Sequence, residues 1–305
     1  MNDVPPQCEP TVGDPKGAMS SRRAWLRRTA TVAAGALAYT WKWEPHWVEV
    51  VRRSLPIAGL PEQLLGARVV QLSDIHAGPQ VDQRYLLDQA ERVADLQPDL
   101  IVLTGDMMTQ RSSDCMDKAL DFIRALPKPR LGRLAILGNH DYGYGWYRPE
   151  VANMLCERLE KLDVQMLRNG AARVAGLQIA GVDDFYTRYF NLEATMAAIN
   201  PSEPTLALVH NPDAVDQPQW QGYRGWILAG HTHGGQCKLP LLPPPILSVV
   251  NRRYVAGEYD LYDGRRLYIN RGLGHLAPLR FNSRPEVTVF TLDRRHESEL
   301  SPSSM

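Results

Sequence analysis

A chain of 305 residues, 44% apolar and 22% charged, has a globular composition and enough length to bury a sizeable core in one large or two small domains. Lys plus Arg balance Asp plus Glu at 34 each, so the chain lacks the basic excess of a dedicated nucleic-acid binder. Setting aside residues 1–28 leaves 29 basic and 31 acidic side chains. The four cysteines, Cys8, Cys115, Cys156 and Cys237, form no CxxC pair. That spacing argues against a disulfide framework and a thiolate zinc site. The helix-like surroundings of Cys115 and Cys156 predict buried thiols; a single disulfide stays open for an exported chain.

Residues 1–20 are rich in Pro, Gly and polar types and read as disordered. Ser21-Arg22-Arg23-Ala24-Trp25-Leu26-Arg27 resembles a twin-arginine export signal. The uncharged stretch Thr29–Trp41 is shorter than the roughly 20 residues of a free membrane span, but suits the apolar part of a signal. Ala36-Leu37-Ala38 offers a small-x-small cleavage point. Residues 21–44 are therefore a signal or, uncut, a short membrane anchor. Trp41, Trp43 and Trp47, near Arg52 and Arg53, suit an interfacial position or equally pack in the first strand.

A strand is expected over Val48–Pro56, turning at Gly59-Leu60-Pro61. Strands at Arg68–Leu72, Asp99–Leu103 and Leu134–Leu137 then alternate with helices at Tyr85–Leu96, Asp117–Leu126 and Glu150–Leu162. The second half holds strands at Leu177–Val182, Thr205–Val209 and Trp226–Ala229, with a short helix at Glu193–Ile199. Strand-like runs at Tyr254–Tyr259, Arg266–Ile269 and Val287–Leu292 close the body. This rhythm predicts an α/β fold. No linker interrupts residues 60–294, so one domain spans 45–294, followed by a frayed tail, 295–305.

Asp74, Asp106, Asn139, His210 and His231 each stand just past the end of an expected apolar strand. Ligands of open α/β sheets collect at strand carboxyl ends, so these five side chains are expected to converge. Imidazole suits Zn or Fe; carboxylate and amide oxygens suit harder ions such as Mn. Five of the eight histidines, at positions 76, 140, 210, 231 and 233, fall in these blocks, which chance placement explains poorly.

Asp74-Ile75-His76, Gly105-Asp106, Gly138-Asn139-His140-Asp141, Val209-His210 and Gly230-His231-Thr232-His233 resemble, in order, the signature blocks of the calcineurin-like metallophosphoesterases. A lone Gly-Asp recurs by chance in many chains; five ordered blocks, each after a strand, are specific. The resemblance covers about residues 68–292 and implies a four-layer α/β/β/α sandwich. It implies one metal ion held by Asp74, His76, Asp106 and His233, and a second by Asp106, Asn139, His210 and His231, with Asp106 bridging. The ions would be divalent or transition metals, Mn, Fe or Zn. His140 would protonate the leaving group or stabilise the transition state, and Asp141 is expected to orient the His140 ring. Thr109 stands where the related purple acid phosphatases place a tyrosine ligand, so no iron–tyrosinate site is expected.

The twin-arginine-like start, Gly230–Gln236 and Asn270–Gly274 together are similar to a membrane-associated bacterial subgroup of phosphodiesterases. One member type is a UDP-2,3-diacylglucosamine pyrophosphohydrolase of lipid A synthesis. The resemblance implies a phosphodiester or lipid-linked nucleotide substrate and membrane association. The enzyme would lie on the periplasmic side after export, or at the cytoplasmic face of the inner membrane behind an uncut anchor. Competing functions are a nuclease, a cyclic-nucleotide phosphodiesterase and a non-catalytic scaffold. Asp183-Asp184 reads as a turn, and Cys237 is not expected to be a ligand. His275 is a low-odds cleft residue. Arg280 and Arg284 suit a substrate phosphate or the surface, and Leu239–Ile246 suits a rigid loop or an apolar rim.

Overall fold

The computed structural model describes residues 15–109, 114–220 and 222–294. Among these residues two six-stranded sheets form the centre. The first is ordered β1 (Glu49–Ile57), β12 (Glu286–Arg294), β2 (Arg68–Leu72), β3 (Leu100–Thr104), β4 (Arg133–Ile136), β5 (Val164–Met166). The second is ordered β10 (Gly257–Asp260), β11 (Arg265–Ile269), β9 (Gly225–Ala229), β8 (Thr205–Leu208), β7 (Leu177–Gly181), β6 (Gly170–Val174). Strands β2 to β5 pair in parallel, as do β7, β8, β9 and β11. The carboxyl ends of β2, β3, β4, β8 and β9 carry the loops with Asp74, Asp106, Asn139, His210 and His231.

Side-chain alternation sorts these strands into layers. Val70, Leu72, Ile101 and Leu103 share a core with helices α2 (Gln83–Asp95), α3 (Cys115–Ala125) and α4 (Pro149–Glu160). Val69, Val102 and Leu134 meet Ile179, Leu206 and Leu228 between the sheets. Ala207, Ile227 and Ile269 form a third core with Trp220 and with Leu192 of α5 (Leu192–Ala197). The result is the expected helix–sheet–sheet–helix sandwich. Burial on both faces accounts for unbroken apolar runs such as Ile101-Val102-Leu103; each large apolar side chain buried contributes roughly 1.5–3 kcal/mol. Gln71 is the polar exception. Its Nε2 donates to Thr104 Oγ1 and across to Ala229 O, at 3.0 and 2.9 Å, tying the two sheets together near those strand ends.

Most predicted elements recur within two residues, and the differences have local causes. β5 and β6 were not expected: β5 has three residues, and β6 is a half-exposed edge of mostly small residues without a clear alternation. The Tyr254–Tyr259 strand begins only at Gly257. Tyr254 is instead buried by its own anchor, its hydroxyl donating to Asp216 at 2.7 Å.

The N-terminal expectation changes more. Residues 1–14, with Cys8, and the tail 295–305, with His296, lie outside the described residues. Pro15–Ser20, expected to be disordered, begin helix α1 (Pro15–Ala38), which continues into a π-helical turn, Tyr39–Trp43. Trp41, Trp43 and Trp47 are exposed rather than packed in β1. Lys42 and Arg284 stand over the Trp41 and Trp47 rings, 4.1 and 4.0 Å from the centroids. Among the described residues no helix is long and apolar enough to cross a membrane. Cys115 and Cys156 are buried, as expected.

Arg280 departs from both of its expected places. It is fully buried, and its guanidinium donates to the carbonyls of Ser283, Arg271, Gly272 and Gly274 at 2.9, 3.1, 3.2 and 2.6 Å. A planar fork of donors suits such a cluster. The loop it holds donates from Leu273 N and Gly274 N to Ser73 O and Asp74 O. Arg280→Met should therefore destabilise the fold by about 3 kcal/mol, because a buried cluster of carbonyls loses the guanidinium that joins it. Urea unfolding measures this; a shift under about 0.5 kcal/mol, as at an ordinary surface position, would refute the assignment.

Candidate metal centre

Each block residue sits where a parallel strand ends. Asp74 follows β2, Asp106 follows β3, Asn139 follows β4, His210 follows β8 and His231 follows β9. Both sheets thus deliver side chains to one point. Asp74, His76, Asp106, His231 and His233 all adopt positive φ, between 49° and 71°. Left-handed backbone is uncommon for residues with a Cβ and marks functional constraint when it clusters. Close packing adds to it: a Cβ on Gly105 would lie 2.7 Å from His210 Nδ1 and 2.6 Å from Gly138 N.

Three donor groups come together: Asp74 with His76 and His233, Asp106 with His210 and His231, and His76 with Asp106 and His140. His76 Nε2 and His233 Nε2 are 3.0 Å apart, and His210 Nε2 and His231 Nδ1 are 3.1 Å apart. Asp74 Oδ1 is 3.3 Å from His233 Nε2. Asp106 Oδ2 lies 3.6 Å from His76 Nε2 and 3.2 Å from His210 Nε2, between the two groups. Two ligands about 2.1 Å from one ion, at octahedral or tetrahedral angles, stand about 3.0–3.4 Å apart. These spacings are those of a donor shell.

Hydrogen bonding fixes which nitrogens face inward. His210 Nδ1 meets Thr104 O at 2.8 Å, and His231 Nε2 meets Ser248 O at 2.7 Å. Carbonyls only accept, so those nitrogens carry protons and turn the other ring nitrogen of each imidazole toward the centre. His76 Nδ1 pairs with Thr109 Oγ1 at 2.6 Å. Asp106 spends Oδ1 on the His140 amide at 2.8 Å, leaving Oδ2 for the centre. Asn139 is buried with neither side-chain polar atom hydrogen-bonded, and His233 Nδ1 is also unpartnered. Orphaned polar atoms amid lone pairs and carboxylates fit bound cations.

Electrostatics point the same way. Burial opposes ionisation of Asp74 and Asp106, yet the surrounding histidines hold both below the usual carboxylate range. Burial also opposes a charged His210, but the Asp106 carboxylate beside it drives its pKa well up. Burial pushes His231 down to about 4. The pocket is one in which positive charge is favoured next to two anions, while most imidazoles keep their lone pairs.

Asp141 does not do what the sequence suggested. Its Oδ1 accepts from the amides of Met107 and Met108, and its Oδ2 from Gly138 N, at 2.9, 3.2 and 2.9 Å. The carboxylate is engaged with backbone and braces the loops after β3 and β4 rather than the His140 ring. His140 packs edge-on against His76 and Trp146. His275 is buried and bonded to Gln80 O. Asp183 takes the Tyr142 hydroxyl and pairs with Arg168, and Asp184 O accepts from Thr187 N in a turn. Arg284 binds Trp47 O at the surface. Cys237 is half-buried beside Leu279 O, outside the donor groups. Thr104, Thr109 and Ser248 were not singled out from sequence as imidazole partners; lone hydroxyls and backbone carbonyls leave no motif.

Residues 67–235 match the model of the calcineurin-like phosphoesterase family. The chain belongs to that family. It is 32% identical to the metallophosphoesterase YkuE of Bacillus subtilis over 88% of this chain and 93% of that protein. With the phosphodiesterase YaeI of Escherichia coli it shares 31% identity over 90% and 100% of the two chains. The UDP-2,3-diacylglucosamine pyrophosphatase LpxG of Chlamydia trachomatis is 27% identical over 87% of this chain and 96% of its own. The chain is a metal-dependent phosphoester hydrolase.

An unpaired buried amide costs about 1–3 kcal/mol. Asn139→Ala should therefore leave the metal-free protein at least as stable as the parent, while lowering its affinity for Mn²⁺. Thermal unfolding with chelator, and calorimetric titration of Mn²⁺, read the two effects; a variant less stable without metal would show that Asn139 serves packing.

Proposed function

We propose that this enzyme cleaves a phosphodiester or pyrophosphate bond in a cell-envelope or lipid-linked substrate, UDP-2,3-diacylglucosamine being the example its relatives suggest. Asp74, His76, Asp106 and His233 would hold one divalent or transition metal ion, and Asp106, Asn139, His210 and His231 the other. The observation that carries this reading is Asp106 Oδ2, placed between His76 and His210 at 3.6 and 3.2 Å. A single oxygen facing both donor groups would help hold both ions and offset their charge. When bound, such ions lower the pKa of water and offset charge on phosphoryl oxygens. The protein's own part is positional. Thr104 O and Ser248 O keep protons on the outer nitrogens of His210 and His231. A ring nitrogen of His140, half-buried at the edge of the centre, would pass a proton to the departing oxygen. The complete donor set disfavours a non-catalytic scaffold, and the even charge balance disfavours a nuclease.

Metal-stripped protein should regain hydrolysis of bis-p-nitrophenyl phosphate on addition of Mn²⁺. Asn139→Ala and His231→Ala should each lose at least about a hundredfold, the scale on which a misplaced reacting group costs rate. Full activity in both variants would remove the proposed ligand set.

The same reading places residues 45–294 as the catalytic domain behind a signal or anchor, at the inner membrane or on its periplasmic side. Helix α1 carries Arg22, Arg27 and Arg28 with exposed Trp25, Leu26 and Val32, and Trp41 and Trp43 follow it. Basic and aromatic side chains of this kind suit an anionic bilayer surface. The full chain should sediment with phosphatidylglycerol vesicles, and binding should drop about fivefold or more per Arg on Arg27→Glu and Arg28→Glu, each near-surface cation being worth about 1 kcal/mol. Equal binding to neutral phosphatidylcholine vesicles would sink the electrostatic part.

A further inference from the structure

Beside the donor groups stands an aromatic pair that the metal chemistry does not use. Trp146 and Tyr186 lie nearly parallel, 10° apart with centroids 5.9 Å apart. Trp146 also meets the His140 ring edge-on at 5.7 Å, and Tyr186 meets the His231 ring at 5.3 Å. The pair thus spans the space between the proposed proton donor and a proposed ligand of the second ion. Its geometry is fixed at one end. The Tyr186 hydroxyl donates to Ser248 O at 2.9 Å, the same carbonyl that takes the His231 proton.

The other end is held by strain. Trp146 has φ of 65° and follows two other left-handed residues, Gly143 at 73° and Gly145 at 77°. Left-handed backbone is a genuine outlier for a bulky residue, and it persists where function demands it. No core burial explains it, because Trp146 keeps 39% of its surface exposed, and its neighbours Tyr144 and Tyr147 are more exposed still. An indole held in an unfavourable conformation, open to solvent, against the rim of a phosphoesterase centre, is a stacking surface.

We propose that Trp146, backed by Tyr186, is the platform for a planar ring carried by the substrate: a nucleobase joined through its sugar to the phosphorus attacked at the metal centre. This rests on the phosphoesterase reading and deepens it by naming a nucleoside phosphate as the group recognised. An indole face suits a base because each offers a flat π-surface, and aromatic stacking tolerates any base. Acyl chains would gain only apolar contact there and have no use for ring planarity.

The test compares UMP with ribose 5-phosphate, which has the sugar and phosphate but no base, by calorimetric titration of the Mn²⁺-loaded protein. The platform predicts that UMP binds about tenfold tighter or more. Trp146→Ala should erase that preference and leave ribose 5-phosphate binding unchanged, and Trp146→Phe should retain most of it. Equal affinities in the parent protein, or a preference that survives Trp146→Ala, overturn the platform while leaving metal-dependent hydrolysis of bis-p-nitrophenyl phosphate intact. Loss of that hydrolysis in the parent would instead sink the reading on which the platform rests.

Discussion

Two buried carboxylates, Asp74 and Asp106, face imidazole nitrogens delivered from the other sheet, and their demand for nearby positive charge organises the upper end of the sandwich. An uncompensated buried carboxylate is costly. Here each oxygen has a stated use. Asp74 Oδ2 accepts from Ser73 Oγ and the His231 amide, at 2.6 and 2.9 Å; Asp106 Oδ1 accepts from the His140 amide. Asp74 Oδ1, which also takes the His231 amide at 3.1 Å, and Asp106 Oδ2 point where nitrogens converge. The bond from His231 N to Asp74 also ties the first sheet to the second, so the site and the docking of the sheets share this contact.

Strained backbone at five site residues needs a surround that over-determines it. The loops supply one. Asp74 N, His76 N and Ala77 N donate to the carbonyls of Gly105, Asp106 and Met107, and Thr109 N returns to Ala77 O. This ladder continues the β2–β3 pairing beyond the strands through left-handed residues. Gly274 N closes on Asp74 O from the far side, under the grip of Arg280. Asp141 performs the matching task between β3 and β4. Buried charges that look catalytic in sequence are here spent on backbone, and that is why Asp141 and Arg280 sit away from their expected partners.

The sequence carried the metal centre well because its signals are local. An Asp or His two residues past an apolar strand is a one-dimensional pattern, and parallel strands turn it into convergence. The cores of the two sheets were legible for the same reason: Ile101–Leu103 and Leu206–Leu208 are apolar on both faces. Strand β6 was not, since an edge strand half in water can be built of small residues such as Gly170, Ala171 and Ala172 that carry no strand pattern. Arg280 was illegible because its partners are carbonyls, which every residue has. Trp146 left a trace, the alternation Gly143-Tyr144-Gly145-Trp146 directly after the histidine block, but only the backbone angles show that the glycines free the chain to turn an aromatic side chain toward the centre.

Ser248 joins these parts. Its carbonyl takes one proton from His231 and another from Tyr186, so a donor of the centre and one wall of the aromatic pair are oriented by the same atom. A carbonyl has two lone pairs and can serve both at little cost. The two functions would therefore move together: a shift of the segment after the exposed Leu239–Ile246 stretch would rotate His231 and tilt Tyr186 at once. Placing recognition and chemistry on one backbone carbonyl keeps the distance between base and phosphorus fixed, which is what a hydrolase must hold constant if substrate binding is to present the phosphorus to the attacking water in a reactive orientation.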